Sequence, residues 1–158
     1  MKVYIAGPMT GLPQFNIPAF DEAATALRAH GYEVVSPAEL DNPETRKLAL
    51  ASQDGAAGTG SANGETWGDF LARDVKLIAD SDIEGIVLLY NWHLSRGARL
   101  EATVGLLCGL KFALYDPSQI GLVKPVDRAY MLSHLHDGFL QQFRKEAEKS
   151  GAACRLGG

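Results

Sequence analysis

The sequence predicts an α/β fold in which a parallel sheet of four to five strands lies between two layers of helices, on three observations. Short β-type runs alternate with longer segments of helical periodicity from Lys2 to Tyr115. The run Ile83 to Tyr90 is apolar almost without interruption, as a strand buried on both faces must be. The composition, 46% hydrophobic and 22% charged over 158 residues, is that of one globular domain with a substantial core.

Lys2 to Ala6 reads as the first strand, closed by Gly7-Pro8. Ile17 to His30 sets Phe20, Ala23, Ala24 and Leu27 at helical spacing and stops at Gly31. Tyr32 to Val35 is a second strand ended by Ser36-Pro37, and Trp67 to Ala79 a second long helix with Phe70, Leu71, Val75, Leu77 and Ile78 mostly inward. Ile83 to Tyr90 is a buried strand, Ser95 to Gly109 a third helix, Lys111 to Tyr115 a fourth strand, and Asp127 to Lys149 an amphipathic C-terminal helix. This order is that of a Rossmann-like (flavodoxin-like) three-layer sandwich, whose ligands bind at the carboxyl ends of the strands. Residues 41–66 interrupt the pattern. Within them 51–64 hold four glycines and no apolar side chain larger than alanine, so they contribute nothing to a core and read as a mobile substrate-covering lid or a passive loop within the single domain 1–158.

A net charge of −4 with no basic run argues against a nucleic-acid polymer as partner. No stretch is long and apolar enough for a membrane span and no secretory leader is visible at MKVYIAG, so the expected compartment is the cytoplasm. Cys108 and Cys154 form neither a disulfide framework nor a metal site, and His134 and His136 read as surface histidines without further ligands at metal spacing. Gly7, Pro8 and Gly11 lack the Walker lysine and the dinucleotide fingerprint, so neither ATP nor NAD is expected and no cofactor is implied.

The most informative stretch is Asn91 to Gly109. Ser95 is a good N-cap, leaving the N–H groups of Arg96, Gly97 and Ala98 as an anion site. Arg96 and Arg99 oppose the helix dipole in the first turn, a conflict that an anionic ligand resolves unless both simply point to solvent. Glu101 interrupts a face on which Leu100, Val104, Leu107 and Cys108 look buried. Gly97, Glu101 and Gly105 share one row, which either leaves room for a ring-shaped substrate against the acid or serves close packing on the sheet, with Glu101 paired to an arginine. Ser95 and Glu101 lie about 9 Å apart along the axis, and the side chain of Glu101 leans back toward the N-terminus. The remaining gap is roughly that between a sugar 5′-phosphate and its anomeric carbon. Asp74, two helical turns from Trp67, is the natural partner carboxylate, and two carboxylates across a sugar are the equipment for cleaving a glycosidic bond. His93, just before the helix, is a candidate contact to phosphate or base, or a plain loop residue.

VYIAGPMTG at the start, Trp67 to Asp74 as W-x6-D, and S-R-G-A-R-L-E at Ser95 to Glu101 together resemble the nucleoside 2-deoxyribosyltransferase-like superfamily, nearest its largely uncharacterised branch from bacteriophages and bacteria. The resemblance covers about residues 2–116. It implies Glu101 as nucleophile on the anomeric carbon, Asp74 as the acid that positions substrate and assists the base, Tyr4 as a hydroxyl near Glu101, and Gly7, with Pro8 and Met9, in the base and sugar pocket. Transferases of the superfamily carry an aspartate where this chain has Ser95, whereas members that hydrolyse nucleoside 5′-monophosphates resemble it there. The expected function is therefore hydrolysis of a (deoxy)nucleoside 5′-monophosphate to base and sugar phosphate. Base exchange by a nucleoside 2-deoxyribosyltransferase and non-catalytic nucleotide sensing are the alternatives. The resemblance also implies a homodimer or higher homo-oligomer.

Overall fold

The computed structural model describes residues 1–56, 61–80 and 82–149. Five strands, β1 (Lys2–Ala6), β2 (Glu33–Val35), β3 (Gly85–Leu88), β4 (Lys111–Tyr115) and β5 (Val123–Val126), form one sheet in the order β2-β1-β3-β4-β5. β1, β2, β3 and β4 run parallel, with Tyr4 opposite both Val35 and Ile86. β5 corrects the expectation of a purely parallel sheet: it pairs antiparallel with β4, Ala113 opposite Pro125. A turn through Asp116–Leu122 returns the chain directly, with no crossover helix to enforce parallel pairing.

Among the described residues five α-helices accompany the sheet: α1 (Ile17–Ala29), α2 (Pro43–Ala51), α3 (Trp67–Asp80), α4 (Arg96–Leu107) and α5 (Arg128–Lys149). Side chains of β1 alternate between two cores. Val3 and Ile5 pack with Phe20, Ala24 and Leu27 of α1, whereas Tyr4 and Ala6 pack with Ile78 of α3, Ala98 and Ala102 of α4 and Met131 of α5. β3 repeats the division with Val87 on one side and Ile86 and Leu88 on the other. This alternation puts Tyr4 beneath α4. Among the described residues no helix is long and apolar enough to cross a membrane.

α2 was not expected, since its residues fall in the 41–66 insertion. Asn42 caps it by accepting from the N–H of Thr45 at 2.9 Å, Pro43 fits its first turn, and Ala49 reaches the α1 core. The segment after it is tied down as far as Ala56. Gly11 N–H donates to the Gly55 carbonyl and Gln14 N–H to the Ser52 carbonyl, both at 2.8 Å. Gly55 sits at φ +60° and a Cβ there would collide with the Leu12 carbonyl, so only glycine fits this junction. Further on, Ala62 N–H donates to the buried Thr45 hydroxyl. The middle of the glycine-rich stretch, residues 57–60, lies outside the described residues, as does Cys154.

The buried face of α4 also differs from expectation. Leu107 is 83% exposed, Leu100 and Cys108 are exposed too, and the face against the sheet is built from Ala98, Ala102, Gly105 and Leu106. A Cβ at Gly105 would run into Ile86 and Phe112. Small residues let the helix axis approach the strands closely, so the apolar face that hydropathy suggests is the wrong one.

Candidate active site

Where β1 and β3 diverge to opposite crossovers, a cavity of about 470 Å³ opens at their carboxyl ends between α3, α4 and the β2–α2 connection. Of the residues expected to act, Glu101, Asp74, Ser95, Arg96, Gly97, Gly7, Met9 and Trp67 all line it. Tyr4 stands behind the wall, fully buried, and its hydroxyl donates to Glu101 Oε1 at 2.9 Å.

Each carboxylate is placed by its helix. Asp74 is on the inward face of α3 one turn before Ile78, and Glu101 follows Ala98 on the inward face of α4; both are 6% exposed. Burial raises the Glu101 carboxyl to about 8, with the neighbouring Asp74 charge adding to the rise and the Tyr4 hydroxyl and Arg73 opposing it. Burial raises Asp74 as well, against the pull of Arg73. Tyr4 is pushed far up by burial and by the two acids, so its phenol stays protonated and donates. The Asp74 charge opposes ionisation of Glu101, so the two acids together keep one proton at neutral pH.

Ser95 is extended at φ −85°, ψ 128°, and its hydroxyl accepts from Ala98 N–H at 3.3 Å, which opens the start of α4 toward the cavity. Arg96 lies over the Trp67 ring, 4.8 Å from its centroid, so the first residues of α3 and α4 meet across the mouth. Gly97 lines the cavity without crowding, a notional Cβ there meeting only Leu71 and the Ser95 hydroxyl, both at 3.9 Å. Of the glycine row flanking Glu101, only Gly97 leaves room for a ligand; Gly105 serves packing.

Arg99, His93 and Pro8 are not brought to the cavity. Arg99 turns to the other side of α4, where it donates to the His93 carbonyl at 3.0 Å and to Gln142 of α5, and stacks over Phe139. His93 joins Trp92, Tyr130 and His134 in an aromatic cluster under α5, and burial beside His134 lowers its pKa. His134, expected at the surface, is half-buried there against Tyr130; His136 is exposed. The Pro8 carbonyl accepts from the Asn16 amide at 2.9 Å, shaping the turn that carries Phe15 onto the cavity wall.

Three charged residues of the site were missed, Arg73, Asp41 and Glu65. Arg73 donates from Nε to Asp74 at 2.9 Å and from Nη1 to Asp41 at 2.7 Å, and all three line the cavity. An arginine next to an aspartate on a helix reads as ordinary surface charge, and nothing local announces that residue 41 returns to it. Ser61 and Glu65, from the insertion, also stand on the cavity wall.

A family model described as a domain of unknown function (DUF4406) matches residues 1–114. The chain belongs to the DUF4406 family. No curated protein and no solved structure matches it. The DUF4406 match includes every residue found on the cavity wall and ends before β5 and α5.

Proposed function

We propose that the protein hydrolyses the N-glycosidic bond of a (deoxy)nucleoside 5′-monophosphate, releasing the base and a sugar 5-phosphate. The reading is carried by one juxtaposition: two buried carboxylates and an open, arginine-bearing helix start share a single cavity, about two helical turns apart. The phosphate binds at Ser95, Arg96 and Gly97, and the sugar lies along α4 past Gly97 toward Glu101. A serine at the cap accepts a dianion that an aspartate would repel, which favours a monophosphate over a free nucleoside as substrate.

In the productive form the shared proton is on Asp74 and Glu101 is ionised, with Tyr4 as its hydrogen-bond donor. Glu101 attacks C1′, the C1′–N bond breaks, and its electron pair leaves with the base, which takes the proton from Asp74. Asp74, now the base, removes a proton from water. The hydroxide adds to C1′, freeing the Glu101 carboxylate and returning the proton to Asp74. Each turnover consumes one water and leaves the pair with one proton.

The test incubates wild type and Glu101→Gln with ribo- and deoxynucleoside 5′-monophosphates and the matching nucleosides, resolving free base by chromatography. Release from a monophosphate by wild type alone is expected. A new nucleoside formed only when an acceptor base is added identifies base exchange instead, and tight binding without release identifies a sensor. Since the active pair carries one proton, kcat/KM is expected to fall as pH rises through about 8, where the pair loses it.

A further inference from the structure

Two groups, Arg73 and Asp41, close the far side of the acid pair, and the function above gives neither a role. Arg73 is held at four points: Asp74 through Nε at 2.9 Å, Asp41 through Nη1 at 2.7 Å, the Pro37 carbonyl through Nη2 at 3.5 Å, and the Phe70 ring 5.5 Å from its guanidinium carbon. Asp41 is largely buried and comes from the β2–α2 connection, directly before the Asn42 cap of α2. The guanidinium therefore bridges two elements distant in sequence, with a fixed fork that a lysine ammonium does not reproduce. The other ionisable groups around Asp74 and Glu101 are Tyr4 from β1, with Glu65 and Arg96 elsewhere on the wall.

We propose that Arg73 is a positioning residue of this site: anchored by Asp41 and Pro37, it fixes the Asp74 carboxylate and ties the β2–α2 connection to the proton shared by Asp74 and Glu101. This rests on the glycosidase reading for the purpose of that proton, but the coupling itself is a property of the free protein. The signs are set by charge. Arg73 lowers the pKa of both acids, whereas Asp41 raises that of Asp74. Removing the cation holds the shared proton to higher pH, and neutralising Asp41 releases it at lower pH.

The experiment follows the Asp74 and Glu101 side-chain carboxyl resonances by carbon-13 NMR from pH 4 to 10 in wild type, Arg73→Met, Arg73→Lys and Asp41→Asn, with base release measured over the same range. Arg73→Met is expected to raise the alkaline inflection by about one pH unit. Arg73→Lys brings it back toward wild type without restoring kcat, because one ammonium does not hold both aspartates. Asp41→Asn lowers it and increases amide exchange over 37–51. An inflection unmoved in Arg73→Met, or moved the same way in Arg73→Met and Asp41→Asn, overturns the proposal and leaves Arg73 a tie between loop and helix. Should Arg73→Met not fold, the Arg73→Lys and Asp41→Asn titrations decide it alone: a lower inflection in Asp41→Asn supports the coupling, and no change removes it. If wild type releases no base from any nucleotide, the glycosidase reading fails while the titrations still decide the role of Arg73.

Discussion

Two arginines stand close in sequence to the acid pair, Arg73 beside Asp74 and Arg99 two residues before Glu101, and they are wired in opposite ways. Arg73, on α3, is partly open to the cavity and meets two carboxylates. Arg99, on α4, is 2% exposed and meets a carbonyl, a glutamine and a phenyl ring, with no carboxylate at ion-pair distance among the described residues. Its Nε and the nearby Trp92 indole nitrogen are buried without partners among the described residues. A buried guanidinium held by neutral acceptors is costly and serves as a fastening, here of α5 onto the turn before Ser95. The fit there is tight enough that a Cβ at Gly138 would collide with the His93 carbonyl. An arginine among carboxylates sets where a proton resides. The residue type is the same, and the neighbours decide between chemistry and assembly.

The sharpest way to break this contrast is at Glu101. Glu101→Gln is expected to lower base release by about a thousandfold or more while leaving the fold intact. It also alters the pH dependence of stability. The folded carboxyl titrates near 8 and the unfolded one near its ordinary value, so between these the native state binds the extra proton and stability falls as pH rises. Urea midpoints from pH 5 to 9 should decline in wild type and flatten in Glu101→Gln; equal slopes would place the proton elsewhere.

Arg99→Met is the converse. It should cost roughly 2 kcal/mol of stability, taking the donor from the His93 carbonyl and from Gln142 Oε1, while the pH profile of base release keeps its shape. A displaced inflection would mean that Arg99 also acts on the acid pair. Arg96→Ala comes next: KM for the monophosphate should rise about tenfold, and binding of the matching nucleoside should not change. Calorimetric titration of both ligands checks this, and equal losses would remove the phosphate from α4. The smallest effect is expected at Leu107→Gln, within about 0.5 kcal/mol, because that side chain is already in water.

That last substitution marks where sequence reading and structure part. The alternation of Val3, Tyr4, Ile5 and Ala6 and the continuous apolar character of Ile86 to Leu89 are visible one strand at a time, and the sheet follows from them. On α4 the larger apolar residues misled, because closeness to the sheet selects alanine and glycine over leucine, and hydropathy does not measure distance. α2 had its Asn42-Pro43 start signal in plain view, but its alanines and charges lie next to a glycine-rich tract that dominates the local composition. β5 is short and half-exposed and contains a proline, which erases the strand pattern. Glu101 was legible because it interrupts an apolar helix face, Ser95 because it caps that helix, and Asp74 by its spacing from Trp67; Arg73 carries no such signal, and its role depends on a contact with residue 41.

The reversal of β5 has a further bearing on how the protein behaves at high concentration. A sheet whose last strand ran long, flat and apolar would offer its free edge to any other chain. Here one border is the three residues of β2, and the other carries Lys124 and Pro125, the latter without an N–H to lend to a newcomer. Both borders are poor templates for growth, so the sheet resists edge-to-edge stacking even though its interior strands are among the most apolar segments of the chain.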